Sequence, residues 1–252
     1  MATDAEGPIR VAVAGYRGKV GAEMARGLEA AAGIEYVGGV EAGDDLADFL
    51  AGARPRALVD FTHPSAALDN ALAAVAAGCS PVVGTTGIPA DGVQRLEDAC
   101  TAAGLGGVVA PNFSVGAVVM VHIAEIAAPF FSAADVIEMH HAAKADAPSG
   151  TALATARRLA AKQRFAYART EKFTLEGVRG GEEGGVGVHS VRLPGVMADQ
   201  EIILGLPGQT LTITHRTTSR EAYLPGVLLA IRQVVAEPRF FRALDQLLGL
   251  GT

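Results

Sequence analysis

The sequence predicts an α/β protein in which a doubly wound parallel sheet is followed by a smaller α+β domain with a mixed sheet. Between residues 9 and 110, short apolar runs alternate with Ala-rich helical segments, a rhythm typical of parallel strands joined by helices. After Asn112 this alternation stops, and closely spaced apolar runs separated by turn residues take its place. The 31 glycines suit a fold that is rich in tight strand-to-helix turns.

The parallel sheet is predicted from five apolar runs and three helical segments. Strands are expected at residues 9–14, 34–40, 57–61, 81–83 and 107–110. Helices are expected at about residues 18–31, 64–78 and 89–104. The connection from Glu41 to Ala57 is interpreted as short, and no element is predicted in it. Ligands of such a sheet bind beyond the carboxyl ends of its strands.

The second half of the chain is predicted as the α+β domain. A buried helix is expected at residues 115–131, a strand at 135–141 and a further helix from about Ser149. Three more strands are expected at residues 186–193, 200–206 and 210–216. The polar stretch 163–185 predicts a mobile loop, and residues 221–248 predict a helical return to the first domain. We therefore divide the chain into residues 1–113 with 219–252 and residues 114–218.

Composition and charge exclude several classes of protein. The formal net charge is -6 and no run of Lys or Arg occurs, which argues against a nucleic-acid partner. Cys79 and Cys100 lie in Ala-rich stretches interpreted as helical and lack a C-x-x-C spacing, which predicts packing residues in a reducing compartment. Because the start of the chain is acidic, we expect no signal peptide. Because no apolar run reaches about 18 residues, we expect no membrane span. We expect a cytoplasmic protein.

A glycine-rich loop follows the first predicted strand. Gly15, Gly18 and Gly21 form G-x-x-G-x-x-G at the start of a helix, a relative of the fingerprint by which Rossmann-like domains bind dinucleotides. Glycines permit the tight turn and let backbone amides reach a pyrophosphate, which the helix dipole also favours. Glu41 closes the second strand 20 residues after Gly21, where a carboxylate can bind a ribose hydroxyl. The alternative is a Gly-rich helix start that binds no ligand.

Polar clusters follow two further strands, Phe61-Thr62-His63-Pro64 and Gly84-Thr85-Thr86-Gly87. Both are expected along the same crevice, because the carboxyl ends of parallel strands share one edge of the sheet. A structural role explains them equally well, since Thr62 and Thr86 are placed to cap the helices that follow.

The most informative segment is E-M-H-H-A-A-K-A-D-A-P-S-G-T-A at residues 138–152, between a strand and a helix. A histidine near its reference pKa of about 6.5 donates a proton at neutral pH, and a nearby lysine supplies a fixed cation. His140 and His141 alternate faces on a strand, unless the strand ends between them. The free amides of a helix that starts with Ser-Gly-Thr make a natural carboxylate site.

Less specific interpretations of this segment remain open. A strand histidine is often a hydrogen-bonded core residue, and His140, His141 and Asp146 are also possible metal ligands. Metal binding is the weaker option, because no third His or Cys has a useful local spacing and Lys144 would repel the cation. Ser149 as a nucleophile is weaker still, because the segment has no G-x-S-x-G turn.

Residues 138–152 resemble the signature of the 4-hydroxy-tetrahydrodipicolinate reductase family, E-x-H-H-x-x-K-x-D-A-P-S-G-T-A, at every specified position. The glycine loop, Asp60-Phe61-Thr62, residues 84–87 and A-P-N-F-S-V-G at 110–116 agree in order and spacing, so the resemblance covers essentially the whole chain. It implies a homotetramer with an N-terminal dinucleotide-binding domain and a C-terminal substrate-binding and tetramerisation domain. It also implies that a nicotinamide hydride and a proton reduce 4-hydroxy-tetrahydrodipicolinate, a cyclic dicarboxylate of lysine biosynthesis, with loss of water.

The resemblance also implies roles for individual residues. His140 is expected as the general acid/base and Lys144 as a second proton donor, while the substrate is held by His141, Lys144, Gly150 and Thr151. Nucleotide contacts are expected from Gly15, Tyr16, Arg17, Gly18, Lys19, Val20, Glu41, Gly84, Thr85, Thr86, Ala110, Pro111, Asn112 and Phe113. Two positions depart from many members of the family: His63 stands where they have arginine, and Asp199 lies where they read G-E-H.

The choice of cofactor depends on opposing charges. Glu41 favours an unphosphorylated ribose and hence NADH, whereas Arg17 and Lys19 are flexible cations that can reach a 2′-phosphate. We therefore expect both NADH and NADPH to work, with kcat/KM values within about tenfold of each other.

Two alternative functions are less consistent with the sequence. Another nicotinamide-dependent amino-acid or sugar dehydrogenase would not need the His-His/Lys/Gly-Thr cluster, and a non-catalytic nucleotide sensor would not need His140 and Lys144.

Overall fold

The computed structural model describes residues 7–250, which form two compact units. Of these residues, the first unit contains those up to Val115 and again from Arg220, and the second contains Gly116–Ser219. Each unit has its own sheet and its own buried apolar core. The functions assigned to the two domains stay predictions.

The described residues form eleven strands and eight α-helices. The strands are β1 Ile9–Ala14, β2 Ile34–Val40, β3 Ala57–Asp60, β4 Ser80–Val83, β5 Gly107–Val109, β6 Ala133–His140, β7 Gly181–Glu183, β8 Val186–Arg192, β9 Ala198–Leu206, β10 Gln209–Thr217 and β11 Phe240–Phe241. The helices are α1 Gly21–Ala30, α2 Leu46–Ala53, α3 Pro64–Ala76, α4 Ala90–Ala103, α5 Val115–Ala127, α6 Gly150–Lys162, α7 Leu224–Ala236 and α8 Leu244–Leu247.

The sheet of the first unit has six strands in the order β11-β5-β4-β3-β1-β2, and all of its pairings are parallel. Helices α1 and α7 pack on one face, and α2, α3 and α4 pack on the other. The strand order reverses between β1 and β3, so the loops that follow these two strands diverge and leave a crevice at the carboxyl edge. This arrangement confirms the predicted doubly wound sheet and places the glycine loop at its switch point.

The sheet of the second unit has the order β10-β9-β6-β8-β7. Strands β6 and β8 run parallel while the other pairs are antiparallel, so the predicted mixed sheet is confirmed. Alternate residues of β6, among them Val136 and Glu138, are buried on the face that α6 covers. The intervening residues Ile137 and Met139 point to the opposite face and are only half-buried.

Two elements of the first unit were not predicted. Helix α2 lies in the connection from Glu41 to Ala57, where Asp45 caps it by accepting from the amide of Asp48 and Leu50 is buried. The eight-residue helix is short enough for its periodicity to be overlooked. Strand β11 interrupts the helical return predicted for residues 221–248, because Pro238 follows the end of α7 and cannot continue a helix. The pairing of β11 with β5 extends the sheet.

Three smaller expectations were also wrong. Strand β7 lies inside the stretch 163–185 that was predicted as a loop. Cys79 is not helical but lies between α3 and β4 in the buried core, whereas Cys100 is in α4 as expected. The predicted helix 115–131 ends at Ala127 and is buried on one side only, because Ile123 and Ile126 are exposed. Among the described residues, no helix has both the length and the apolar character needed to cross a membrane.

Candidate functional site

The glycine loop connects β1 to α1 in a turn that requires glycine. Gly15 has a φ of 77°, in the left-handed region, and a Cβ atom at Gly21 would lie 2.0 Å from the carbonyl oxygen of Gly15. Helix α1 has no side-chain cap, and the amides of Lys19, Val20 and Gly21 donate no hydrogen bond to other described residues. Unpaired amides at the positive end of a helix form a site for an anion such as a phosphate.

Glu41 lies beside this loop, at the end of β2. Its Oε1 accepts a hydrogen bond from the backbone amide of Arg17 at 2.5 Å, while its own amide donates to Asp44. The guanidinium of Arg17 stacks over the ring of Tyr16, 5.2 Å from the centroid, and Lys19 is exposed. One carboxylate and two exposed cations therefore surround the loop, as a site for ribose and phosphate requires.

Asp60, at the end of β3, organises the two neighbouring loops. It is 1 % exposed, and its Oδ1 accepts from the amide and hydroxyl of Thr62 and from the hydroxyl of Thr85. Its Oδ2 accepts from the side-chain amide of Asn70. No role was predicted for Asp60, although an aspartate inside a buried apolar run was a signal that its carboxylate needs partners. The hydroxyl of Thr85 is therefore engaged by Asp60, and its contact with a nucleotide stays a prediction.

The capping roles considered for two threonines are wrong. Thr62 donates to Asp60, and it is His63 that caps α3, because its Nδ1 accepts from the amide of Ser65. Helix α4 starts after Pro89 without any side-chain cap, and Thr86 is an exposed residue of the loop before it. Gly84 packs against the ring of Phe61 so closely that a Cβ atom there would lie 2.1 Å from it.

The segment after β5 contributes mainly backbone to the crevice. Ala110 and Phe113 are each 1 % exposed, and the ring of Phe113 packs edge-on against Phe61 with centroids 6.0 Å apart. Asn112 accepts from the amide of Ser114, while Pro111 is exposed. A nucleotide contact at Phe113 is thus left to its main chain, and all contacts in this segment stay predictions.

In the second unit, Glu138 and His140 lie on the same face of β6. His140 is the last residue of the strand, so the strand ends between the two histidines and exposed His141 begins the following turn. The Nδ1 atom of His140 lies 2.5 Å from Oε2 of Glu138. Burial lowers the pKa of His140, the Glu138 carboxylate opposes this, and the cations Lys144 and Arg192 add to the decrease. The alternative of a simple core histidine is weakened, because its side chain keeps 16 % exposure.

Lys144 lies in the turn between β6 and α6, where its amide donates to the carbonyl of His141. Its Nζ donates to Oδ1 of Asp146 at 2.7 Å, and this hydrogen bond lowers the pKa of the aspartate. Lys144 therefore carries its ammonium group in a fixed position while the side chain remains 22 % exposed.

Helix α6 begins beside these residues with two unpaired amides. The hydroxyl of Ser149 caps the helix by accepting from the amide of Ala152, and the amide of Ser149 donates to Glu138. The amides of exposed Gly150 and Thr151 donate no hydrogen bond to other described residues, so they can receive a carboxylate. Ser149 is 4 % exposed and engaged as a cap, which disfavours a role as nucleophile.

The remaining candidates have structural partners. Asp199 accepts from the amide of Thr217 and joins β9 to the end of β10. Arg192, which received no role from the sequence, donates two hydrogen bonds to Glu138 and one to the carbonyl of Asp146. Within residues 7–250, no three His, Cys, Asp or Glu side chains come together as they would around a metal ion.

Comparison with known proteins identifies both units. Residues 9–113 match the family model for the dihydrodipicolinate reductase N-terminus, and residues 116–248 match the model for its C-terminus. The chain is 49 % identical to 4-hydroxy-tetrahydrodipicolinate reductase of Moorella thermoacetica over 90 % of this chain and 92 % of that protein. It is 42 % identical to the enzyme of the same name from Mycolicibacterium vanbaalenii, over 96 % of this chain and 100 % of that protein. Among solved structures, the dipicolinate-bound dihydrodipicolinate reductase of Paenisporosarcina sp. TG-14 is similar with a TM-score of 0.87 and 33 % identity, covering 95 % and 99 % of the two chains.

Proposed function

Because the chain belongs to the dihydrodipicolinate reductase family, we propose that it reduces 4-hydroxy-tetrahydrodipicolinate to tetrahydrodipicolinate in diaminopimelate and L-lysine biosynthesis. It is an oxidoreductase that uses a pyridine nucleotide and acts on a small molecule. The observation that carries the proposal is the grouping within residues 140–151 of a half-buried imidazole, a fixed ammonium and two unpaired helix amides. These groups suit a dicarboxylate that must be bound and protonated.

The residues of the second unit bind the substrate and transfer protons, and Lys144 takes part in both. The amides of Gly150 and Thr151 and the ammonium of Lys144 receive the substrate carboxylates, and His141 adds a further polar contact. A bound nicotinamide nucleotide supplies the hydride. His140 exchanges a proton through Nε2, because its Nδ1 is engaged by Glu138, and Lys144 is the second proton donor. Overall, the hydride and one proton are added to the ring, and the hydroxyl group leaves as water together with one hydrogen lost from the ring.

The residues of the first unit fit the phosphates and the ribose of that nucleotide. The unpaired amides of the glycine loop suit the pyrophosphate, and the crevice continues along residues 84–86 and 110–113. Glu41 is placed for the ribose hydroxyls, while exposed Arg17 and Lys19 can meet a 2′-phosphate. Two cations against one carboxylate leave a small difference, so NADH and NADPH both serve with kcat/KM within about tenfold, or ~1.4 kcal/mol.

Steady-state kinetics with both nucleotides test the cofactor assignment. Replacing both cations in Arg17→Ala/Lys19→Ala should harm NADPH more than NADH, whereas Glu41→Ala should improve NADPH relative to NADH. A wild-type preference beyond about 100-fold either way, ~2.7 kcal/mol, would contradict this balance of charges.

We propose a homotetramer held together by the second unit. Ile123, Ile126 and Phe130 are 46 %, 60 % and 73 % exposed, and the face of the sheet opposite α6 carries half-buried apolar residues. Exposed apolar groups of this size are typical of assembly surfaces. Light scattering should give about four times 25.7 kDa, and a monomer mass would contradict the assembly. A cytoplasmic location accords with the two free, buried cysteines.

The catalytic assignment is tested by coupling the purified protein to the aldol condensation that makes the proposed substrate. Loss of reduced nicotinamide absorbance should depend on both the protein and the condensation enzyme. Absence of substrate-dependent oxidation with either nucleotide would overturn the proposed reaction. Turnover of an amino acid or a sugar in its place would assign the protein to another dehydrogenase activity.

A further inference from the structure

Glu138 is a completely buried carboxylate with a full set of hydrogen-bond donors. Its side chain is 0 % exposed on the face of β6 that α6 covers. Oε1 accepts from the amide of Ser149 at 3.1 Å and from Arg192 at 2.7 Å, and Oε2 accepts from Arg192 at 2.8 Å and from His140 at 2.5 Å. These four hydrogen bonds use about four lone-pair positions, and Ser190 adds a further one, so the carboxylate cannot rotate without losing a bond.

The donors also fix the charge of Glu138. Burial raises the pKa of this carboxyl, but hydrogen bonds from Arg192, Ser190 and His140 outweigh burial and lower the pKa to about 2. Arg192 lies directly across from His140 in the parallel β6–β8 pair, and its two-point contact with the carboxylate is the strongest geometry available to such an ion pair. Glu138 is therefore an anion throughout the pH range in which enzymes work.

An anionic carboxylate can only accept hydrogen bonds, so the Nδ1 atom of His140 must carry a proton. The neutral ring then has its lone pair on Nε2, and Nε2 is the nitrogen that gains or gives up a proton. We propose that Glu138 is a positioning residue that holds His140 in the Nδ1–H tautomer and favours the protonated ring, with Arg192 orienting Glu138. This inference rests on the proposed role of His140 in proton transfer.

Arg192 connects the same carboxylate to the turn that carries the second proton donor. Its Nη2 donates to the backbone carbonyl of Asp146 at 2.8 Å, and the carboxylate of Asp146 accepts from Lys144. The amide of Ser149, which also contacts Glu138, sets the start of α6. The ion pair between buried Glu138 and half-buried Arg192 thereby holds His140, the turn with Lys144 and the start of the helix that offers its amides to the substrate.

Burial lowers the pKa of His140 most, and three charged groups within the described second unit modify it further. Glu138 on its own strand favours the protonated ring, whereas Arg192 on β8 and Lys144 in the turn disfavour it. The residues at the start of α6, the N-cap Ser149 and Gly150, are uncharged. Replacing Glu138 by an uncharged isostere removes the only anion of the three, so the protonated ring should be lost at lower pH than in the wild type.

The test is to measure ring protonation by NMR in the full-length protein with ¹⁵N-labelled histidine. The His140 signals are assigned by their absence from His140→Gln. In the wild type, Nδ1 should be protonated and Nε2 unprotonated above the titration midpoint. In Glu138→Gln, the amide can donate to Nδ1, so the Nε2–H tautomer should appear and the midpoint should fall by about one pH unit.

Kinetics give the second measurement. By analogy with other partners that orient a reacting histidine, Glu138→Gln should lower kcat by about 10- to 100-fold with little change in KM. The matched control is Glu125→Gln, which removes another carboxylate paired with an arginine, Arg158, in the same unit. The control should keep the wild-type tautomer and pH profile, because Glu125 is not among the groups that interact with His140.

Each outcome decides the inference. A wild-type protein whose His140 carries its proton on Nε2 overturns it, and this result needs no variant to fold. If Glu138→Gln is unstable because Arg192 is left unpaired, Glu138→Gln/Arg192→Met removes both charges and should still lose the Nδ1–H tautomer. The NMR measurement requires no substrate. A wild-type protein without turnover would therefore overturn the proposed function, and the NMR result alone would still decide the tautomer inference.

Discussion

The glycine loop of the first unit and the 138–151 segment of the second both present unpaired helix amides, but they are built differently. The charged side chains beside the loop, Arg17, Lys19 and Glu41, are exposed or half-buried, and the turn depends on glycine, since a Cβ atom at Gly21 would collide with Gly15. In the segment, Glu138 is completely buried, and the hydrogen bonds that it accepts fix the side chains and backbone beside it. From this difference we infer that the first region recognises the proposed nucleotide with its backbone, whereas the second carries the proposed proton donors on its side chains.

The largest effects should follow from removing the proton donors. His140→Ala and Lys144→Ala should each lower kcat by about 10²-fold or more, as expected for positioned acids. Lys162→Ala removes an exposed lysine at the end of α6 and serves as the control, with near wild-type kcat. If either variant keeps kcat close to that of the wild type, the role given to that residue is wrong.

The next largest effect is expected in the glycine loop, and it concerns nucleotide affinity instead of kcat. Gly21→Ala should weaken nucleotide binding by about 30-fold, because the loop must shift and several charge-assisted hydrogen bonds of about 1.5 kcal/mol each are strained. Gly52→Ala, where nothing lies within 4 Å of the added carbon, should bind like the wild type. Calorimetric titration with NADH measures the affinity of both variants. If Gly21→Ala bound NADH as tightly as Gly52→Ala, the loop would not contact the phosphates.

A moderate effect on inhibitor binding is expected at the start of α6, and it distinguishes the backbone amide of Thr151 from its side chain. Pyridine-2,6-dicarboxylate, a flat mimic of the product, should compete with the substrate. Thr151→Pro should weaken its inhibition by about tenfold, since one amide bond to a charged group contributes about 1.5 kcal/mol and proline is tolerated in a first helical turn. Thr151→Ala keeps the amide and should retain the wild-type inhibition constant. Unchanged inhibition in Thr151→Pro would move the carboxylate site elsewhere.

The smallest effect concerns pH. Because the pKa of His140 is lowered below 6.5 in the free protein, its protonated form predominates only below that pH, and kcat/KM should fall as pH rises through this range. A bound dianion favours the protonated ring, so the corresponding decrease in kcat should occur at higher pH. Profiles of both constants between about pH 5 and 9 test this order. The reverse order would exclude His140 as the group that titrates.

The local patterns of the sequence predicted the sheets and the two ligand-facing segments, but not the partners that fix them. Gly15 and Gly21 could be identified because glycines at this spacing follow a strand end, whereas His140 was distinguished from His141 only by the resemblance to the reductase family. Arg192 could not, because it lies 54 residues after Glu138 and meets it only through the pairing of β6 with β8. Asp60 was overlooked for a similar reason, since its partners come from three different segments.

The separation of backbone recognition from side-chain chemistry can be tested in one variant. His140→Ala/Lys144→Ala removes both proton donors and leaves every residue of the first unit unchanged. Calorimetric titration with NADH should give a dissociation constant within about twofold of the wild type, a difference of less than ~0.5 kcal/mol, although turnover is lost. A loss of affinity of tenfold or more would mean that the side chains of the second unit contribute to nucleotide binding, and would contradict the account.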